Sequence, residues 1–172
     1  MPDTEYDADG RITGYGLTLN PTAHRYETDG RTLYTWCALD TLIFPAVLGH
    51  TARVTSPCRA TGEPVRLTVA PQGPTGVDPP TAAVSLPAGQ APVSLRTGFC
   101  NEIHFFTGAE TAGDWLAGHP GSRVLSAAEA PRPGTAARPA DPHRRHRPVR
   151  LLLSAEPLSM RGAGPGRAAG PR

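Results

Sequence analysis

The 172-residue chain has no long hydrophobic run, few aromatic residues and only three cysteines. A membrane-spanning helix needs roughly 18 or more consecutive apolar residues, and no stretch of the sequence approaches that length. No basic-then-apolar leader opens the chain. These absences predict a protein of the cytoplasm that does not enter the membrane. Cytoplasmic thiols stay reduced and three is an odd number, so we expect no disulfide framework; the cysteines are either buried core residues or metal-binding or catalytic thiols.

Charge is divided unevenly between the two ends of the chain. Residues 131–172 hold nine Arg against Asp141 and Glu156, a balance of +7, which leaves −5 of the total charge of +2 for residues 1–130. The same segment is rich in Pro, Gly and Ala and cannot bury enough apolar surface to offset its chain entropy. We therefore predict a disordered basic tail over 131–172. It lacks interleaved aromatic residues and any recognisable binding module, which argues against nucleic-acid binding.

Alternating and turn-forming residues predict a single α+β domain over 14–130, preceded by a linker over 1–13. The expected core is a small mixed or antiparallel β-sheet with a few short helices. Two β-prone runs joined by Asp29-Gly30 predict a hairpin. The prolines of APQGPTGVDPP predict a loop, and the pattern at 109–117 predicts a short helix. Further strands are predicted at 16–19, 51–56, 65–69, 82–86, 99–106 and 122–126.

The stretch WCALDT, from Trp36 to Thr41, follows the hairpin and opens a predicted helix that is interrupted or ends near Pro45 and is stopped by Gly49. The helix is apolar on most sides, which predicts that it is buried. Its Cys37 and Asp40 lie three residues apart, so they share one helix face. A helix N-terminus favours a thiolate, whereas a nearby carboxylate opposes it. The pair suits a site that passes a proton or holds a cation at sulfur; alternatively, Asp40 merely serves the first helical turn.

Four motifs then occur in order: the Cys-x-x-Asp helix, SPC after the next strand, GFCNEIHFF and AETAGDWLAGHPG. From about Thr4 to Ala130 the sequence resembles the catalytic domain of alkylmercury lyase, the organomercurial lyase of bacterial mercury resistance. Members of that family usually carry an N-terminal helical domain before this point, and they continue as a helix where this chain enters its divergent tail. We therefore expect surface that such a domain covers to be exposed here.

The resemblance implies a catalytic trio of Cys37, Asp40 and Cys100. Both cysteines would bind mercury as substrate and product, and Asp40 is a further candidate ligand. Cys58 is implied to be a buried structural thiol outside the site, and Trp36 a wall of the site.

The chemistry of mercury makes this trio intelligible, because Hg(II) is a very soft cation and thiolates are the ligands that select such metals. A neutral cysteine pair brings two protons. One leaves as the first sulfur binds R–Hg⁺, and the second is needed on carbon, where Asp40 can deliver it. The expected reaction is therefore protonolysis of the carbon–mercury bond, giving R–H and Hg(II) in organomercury detoxification.

No organic cofactor or stored metal is expected for this reaction. The implied partners are an organomercurial substrate, small cellular thiols and a mercuric reductase that accepts Hg(II). Two alternatives stay open from the sequence: a thiol-based mercury-binding protein without turnover, and an unrelated β-rich interaction domain with a basic tail. His104 also stays open, as a neighbour of the site or, as we favour, a core histidine.

Overall fold

The computed structural model describes residues 3–89 and 94–130, and the predicted tail over 131–172 lies outside the described residues. The described chain forms two antiparallel sheets and short helices, which confirms the predicted fold class. The larger sheet contains β1 (Glu5–Tyr6), β2 (Ile12–Tyr15), β3 (Leu17–Thr18), β4 (His24–Thr28), β5 (Arg31–Thr35), β6 (Ala52–Pro57), β7 (Pro64–Ala70) and β8 (Gly73–Asp78), in the spatial order β1-β2-β3-β5-β4-β6-β7-β8.

The smaller sheet has the order β10-β9-β11 and contains β9 (Ala83–Leu86), β10 (Phe105–Phe106) and β11 (Arg123–Ser126). The helices are α1 (Ala38–Leu48), α2 (Leu95–Gly98) and α3 (Gly113–Gly118), with 3₁₀ turns at Cys100–Glu102 and Ala109–Ala112. Among the described residues, no helix is both long enough and apolar enough to cross a membrane.

The β4–β5 hairpin forms where the sequence predicts it. Asp29 and Gly30 occupy its two-residue turn with φ values of 48° and 71°. Positive φ at both positions is what a turn of this length requires if it is to match the twist of the strands. The hairpin ends at Thr35 and therefore delivers the chain directly to Trp36 and Cys37.

Alternation along β6 and β7 places one face of the larger sheet in the core, where Val54, Leu67 and Val69 are buried. Helix α1 packs against this sheet through Ala38 and Leu42. Burying that apolar surface is the main stabilising contribution of the packing.

The helix continues through Pro45 without a break and stops at Gly49, as predicted; the φ of 73° at Gly49 is the left-handed conformation that glycine adopts readily. The expectation of a buried helix holds only in part. Ala38, Leu42 and Pro45 are buried, whereas Val47 and Leu48 are exposed.

The segment after Cys100 connects the two sheets. Phe105 forms a parallel bridge with Cys58, and the Arg59 N–H donates a 2.8 Å hydrogen bond to the Phe105 carbonyl. Next to it, the Ala38 N–H donates to the Ile103 carbonyl at 3.3 Å. These contacts hold the 100–106 segment against the start of α1, and they fix where the functional side chains meet.

Three expectations differ from the structure. The strand predicted over 99–106 exists only at β10, and Cys100 lies in a 3₁₀ turn instead. The proline-rich segment predicted as a loop contains β8, which is an edge strand. The boundary predicted at residue 14 falls inside β2, and β1 lies within the segment predicted as a linker.

Candidate active site

Cys37 occupies the residue immediately before α1, with extended backbone at φ −146°. Its carbonyl accepts a 2.9 Å hydrogen bond from the Thr35 hydroxyl, which fixes the chain as it leaves the hairpin. The side chain is only 1% exposed. The thiol is therefore held at a helix N-terminus in a dry environment.

Cys100 reaches the same place on a tight turn. The Ile103 N–H donates to the Cys100 carbonyl at 3.1 Å and closes the 3₁₀ turn. Ser85 of β9 then anchors the turn: its hydroxyl donates to the Glu102 carbonyl at 3.0 Å and accepts from the His104 N–H at 2.8 Å. Cys100 is 7% exposed, more than Cys37 although still buried.

The structure brings all three members of the predicted trio together. Sulfur atoms of Cys37 and Cys100 and a carboxylate oxygen of Asp40 lie within 4.8 Å of one another. The three residues that the resemblance implies are therefore close in space. The distance of Cys100 from the other two along the sequence does not predict this. Two thiols and one carboxylate make a site suited to a soft cation and a proton.

A hydrogen bond between the two thiols separates their pKa values. It raises the pKa of Cys37 well above the usual range, and burial and the negative charge of Asp40 act in the same direction. The same hydrogen bond lowers the pKa of Cys100; the Arg96 cation also lowers it, against burial and the charges of Asp40 and Asp3. Cys100 is therefore the more acidic of the two thiols, and Cys37 holds its proton more tightly.

Asp40 is largely buried, which disfavours the charged form of its carboxyl group. Burial raises its pKa to about 6, although hydrogen bonds with the side chain and backbone of Cys37 oppose part of that rise. Its Oδ2 atom is buried and has no hydrogen-bond partner among the described residues. An orphaned buried carboxylate oxygen costs stability, so its presence calls for a functional reason.

The turn between β2 and β3 covers Asp40. Gly16 in this turn has a φ of 73°, and a Cβ atom there would lie 2.9 Å from the Phe44 ring and 3.8 Å from Asp40 Oδ2. Any larger residue would therefore push against α1 beside the carboxylate. The turn between β2 and β3 thus lies close against Asp40 Oδ2.

Trp36 joins the Cys37 helix to the Cys100 segment. Its indole N–H donates to Glu5 Oε1 at 3.0 Å, and the Arg96 guanidinium lies 4.9 Å from the centre of its ring. Arg96 also forms an ion pair with Glu5. Glu5 thus contacts both Trp36 and Arg96. Trp36 precedes Cys37 and Arg96 precedes Cys100, so Glu5 links the two segments that lead to the cysteines.

Sequence reasoning missed Glu5 and Arg96. They are 91 residues apart, and Glu5 lies in the segment predicted as a linker. A glutamate in a short polar stretch carries no local signal of such a role. The pairing of β1 with β2 holds Glu5 in the folded chain, where its carboxylate meets the Trp36 indole.

Cys58 lies outside this cluster, although it is only 2% exposed. Burial alone would raise its pKa, but hydrogen bonds from the Thr61 side chain and from backbone N–H groups, including that of Thr107, lower it to about 6. The Thr107 hydroxyl also donates to the Cys58 sulfur at 3.7 Å. Its implied structural role stays a prediction.

The sequence comparisons identify the family of the chain that carries this trio. The family model described as MerB, alkylmercury lyase, matches residues 17–137, a stretch that contains Cys37, Asp40 and Cys100. The chain belongs to the alkylmercury lyase family.

Two curated relatives and one solved structure are similar to this chain. It is 61% identical over 129 residues to the alkylmercury lyase of Streptomyces lividans, covering 75% of this chain and 60% of that protein. It is 52% identical over 130 residues to the alkylmercury lyase of Bacillus cereus, covering 76% and 60% respectively. The mercury-bound form of MerB2 superposes with a TM-score of 0.66 at 29% identity, covering 73% of this chain and 63% of that one. The chain thus spans about 60% of the length of its curated relatives.

Proposed function

We propose that this protein is an organomercurial lyase, which cleaves the carbon–mercury bond of R–Hg⁺ by protonolysis and gives R–H and Hg(II). The observation that carries the proposal is the cluster itself: two thiols with separated pKa values, and a carboxylate whose buried Oδ2 atom has no hydrogen-bond partner among the described residues, with ligand atoms of all three residues within 4.8 Å of one another. Simple mercury binding needs the sulfurs alone. Membership of the alkylmercury lyase family supports the same reaction.

The first step is capture of the substrate by the more acidic thiol. Cys100 as thiolate binds the mercury of R–Hg–X and displaces X⁻, because the thiolate is both the nucleophile and the metal ligand. Cys100 is also the more exposed of the two thiols. The incoming mercury therefore meets the more acidic sulfur at the more exposed side of the site.

The second step adds Cys37 and moves its proton. As the Cys37 sulfur binds mercury, its thiol proton passes to Asp40, whose pKa of about 6 makes the transfer feasible once mercury acidifies the thiol. Two sulfur donors weaken the Hg–C bond and raise the electron density on carbon. Both effects prepare the carbon for protonation.

The third step releases the hydrocarbon. Protonated Asp40 gives its proton to the carbon as the Hg–C bond breaks, and the bonding electrons stay with carbon to form R–H. Hg(II) remains between the Cys37 and Cys100 sulfurs, and Asp40 is a carboxylate again. Charge and atoms balance: one proton leaves Cys37 and arrives on carbon.

Turnover then requires thiols that remove Hg(II), and we propose small cellular thiols or a mercuric reductase as acceptors. The chemistry requires reduced protein thiols, and all three cysteines are unpaired. We therefore propose the cytoplasm as the place of action. No organic cofactor enters any step of this mechanism.

The test is to incubate the full chain with phenylmercury and excess thiol and to measure benzene by gas chromatography. We expect many benzene molecules per protein molecule. A protein that binds one mercury but releases no benzene would instead be a mercury-binding protein, and the proposal would be wrong.

A further inference from the structure

A cavity of about 350 Å³ opens beside the trio, and Cys100 is the member of the trio that lines it. Trp36 forms another part of its wall, whereas Cys37 and Asp40 do not line it. A second sulfur nucleophile approaching bound mercury must come from an open side. Within the described residues, this cavity gives an incoming thiol access to the sulfur of Cys100.

The side chains that line this cavity include basic and polar groups but no acidic group. His24, Arg59, Asn101 and His104 line it, and no carboxylate does. Arg59 is exposed, and none of the ion pairs among residues 3–89 and 94–130 involves it. Its guanidinium is therefore available to a ligand.

The positive charge of Arg59 acts on His104, another residue that lines the cavity. Burial lowers the pKa of His104, and the neighbouring Arg59 cation lowers it further. Glu102, whose charge opposes this effect, is hydrogen-bonded to His119 at 3.0 Å. The His24 ring is buried and bonded to the Ser56 hydroxyl at 3.0 Å. Arg59 is thus the fixed positive charge of this cavity, and a ligand with a negative group suits it.

We propose that this cavity is the docking site of the thiol that removes Hg(II), and that it favours a small thiol carrying a carboxylate. The carboxylate binds Arg59, with the Asn101 amide as a second donor, while the thiol sulfur reaches mercury from the Cys100 side. This inference rests on the proposed function, because it concerns release of the product of that reaction.

The exchange is balanced without any redox change. The incoming R′–SH forms an R′S–Hg bond, the Hg–S bond to Cys100 breaks, and the proton of R′–SH passes to the Cys100 sulfur. A second R′–SH displaces Cys37 in the same way. The products are Hg(SR′)₂ and a protein with both thiols restored, ready for a new substrate.

The experiment loads the full chain directly with one equivalent of Hg(II), so it does not depend on carbon–mercury cleavage. Loss of mercury is then timed with 3-mercaptopropionate, 2-mercaptoethanol and 2-aminoethanethiol at equal thiolate concentration. We expect the anionic thiol to be about tenfold faster than the neutral one, and the cationic thiol to be slowest. Rising salt should shrink this difference, because it screens Arg59.

Arg59→Gln should bring the three rates together, whereas Arg31→Gln should leave the preference unchanged. Arg31 is the matched control because it is also exposed, lies at the start of β5 and does not line the cavity. Equal rates for all three thiols in the wild type, or an unchanged preference in Arg59→Gln, would overturn the inference while leaving the lyase proposal intact. Failure of the full chain to hold Hg(II) at all would instead remove both.

Discussion

The two cysteines of the site are the same residue type in two different surroundings. Cys37 lies between the β4–β5 hairpin and the start of α1, is 1% exposed and has a raised pKa. Cys100 lies on a 3₁₀ turn beside a cavity, is 7% exposed and has a lowered pKa. The site is therefore asymmetric, and in the proposed reaction one thiol captures mercury while the other stores the proton that the reaction consumes.

Removal of either sulfur should have the largest effect on this asymmetric pair. Both Cys37→Ala and Cys100→Ala should abolish hydrocarbon release, because cleavage needs two sulfur donors. The two variants should differ in capture: Cys37→Ala still binds R–Hg⁺ through Cys100, whereas Cys100→Ala captures it far more slowly. Gas chromatography of R–H and the mass of the intact protein measure the two properties.

Cys58→Ala is the control for those variants. It should retain cleavage and lose at most a few kcal/mol of unfolding free energy, as truncations of buried residues do. Retained turnover in Cys100→Ala would remove the two-thiol mechanism, and loss of turnover in a folded Cys58→Ala would place a third cysteine in it.

Loss of the acid should have the next largest effect. Asp40→Asn keeps the shape of the side chain but cannot carry a proton, so the single-turnover rate of R–H release should fall by roughly 10²–10⁴. Affinity for Hg(II) should change little, since the two sulfurs remain. A wild-type rate in this variant would reduce Asp40 to a residue of the first helical turn, and loss of binding would make it a ligand.

Alkylation should rank the two thiols directly. At neutral pH iodoacetamide reacts with thiolates, so Cys100 should be modified about tenfold or more faster than Cys37. Peptide mass spectrometry after short exposures gives both rates from one sample. Equal rates, or faster modification of Cys37, would contradict the asymmetry.

The smallest predicted effect is on stability and concerns the charge of Asp40. Its pKa is about 6 in the folded protein against an ordinary 3.8, so the folded state binds the proton more tightly than the unfolded state. The unfolding free energy therefore falls as pH rises from about 4 to about 6. Asp40→Asn removes this cost and should be about 1–3 kcal/mol more stable than the wild type at pH 8.

The gain from Asp40→Asn should be much smaller at pH 4, where Asp40 is protonated in the folded state and partly protonated in the unfolded state. Urea unfolding at pH 4 and pH 8 measures it. His24, whose pKa burial lowers to about 4, contributes the opposite trend over this range, but it is present in both proteins and cancels in the difference. An equal effect of the substitution at both pH values would show that the carboxylate is not destabilised by burial.

The part of the site that contains Cys37 and Asp40 could be predicted from short sequence patterns. The Asp29-Gly30 turn and the three-residue spacing of Cys37 and Asp40 follow from turn chemistry and helix periodicity. The structure places both as expected. Short-range rules suffice because the hairpin and the helix are adjacent in sequence.

The Cys100 half could not be predicted in this way. The aromatic run around Cys100 favours a strand, but the contacts with Ser85 and Ala38 fold it into a turn. Long-range packing also explains β8: its Pro74 lies on an edge strand, where a missing N–H is tolerated. The resemblance to a known family named Cys100 as part of the site, but the ion pair of Glu5 and Arg96 needed the folded chain.

The mass of what the protein holds after one turnover shows directly whether the carbon–mercury bond has been cleaved. One equivalent of phenylmercury is added to the full chain without free thiol, and intact-mass spectrometry is combined with benzene measurement. The wild type should carry Hg(II) alone and release one benzene per mercury, while Asp40→Asn at the same time still carries phenylmercury. A wild-type protein that keeps the phenyl group, or an Asp40→Asn variant that loses it equally fast, would contradict the account.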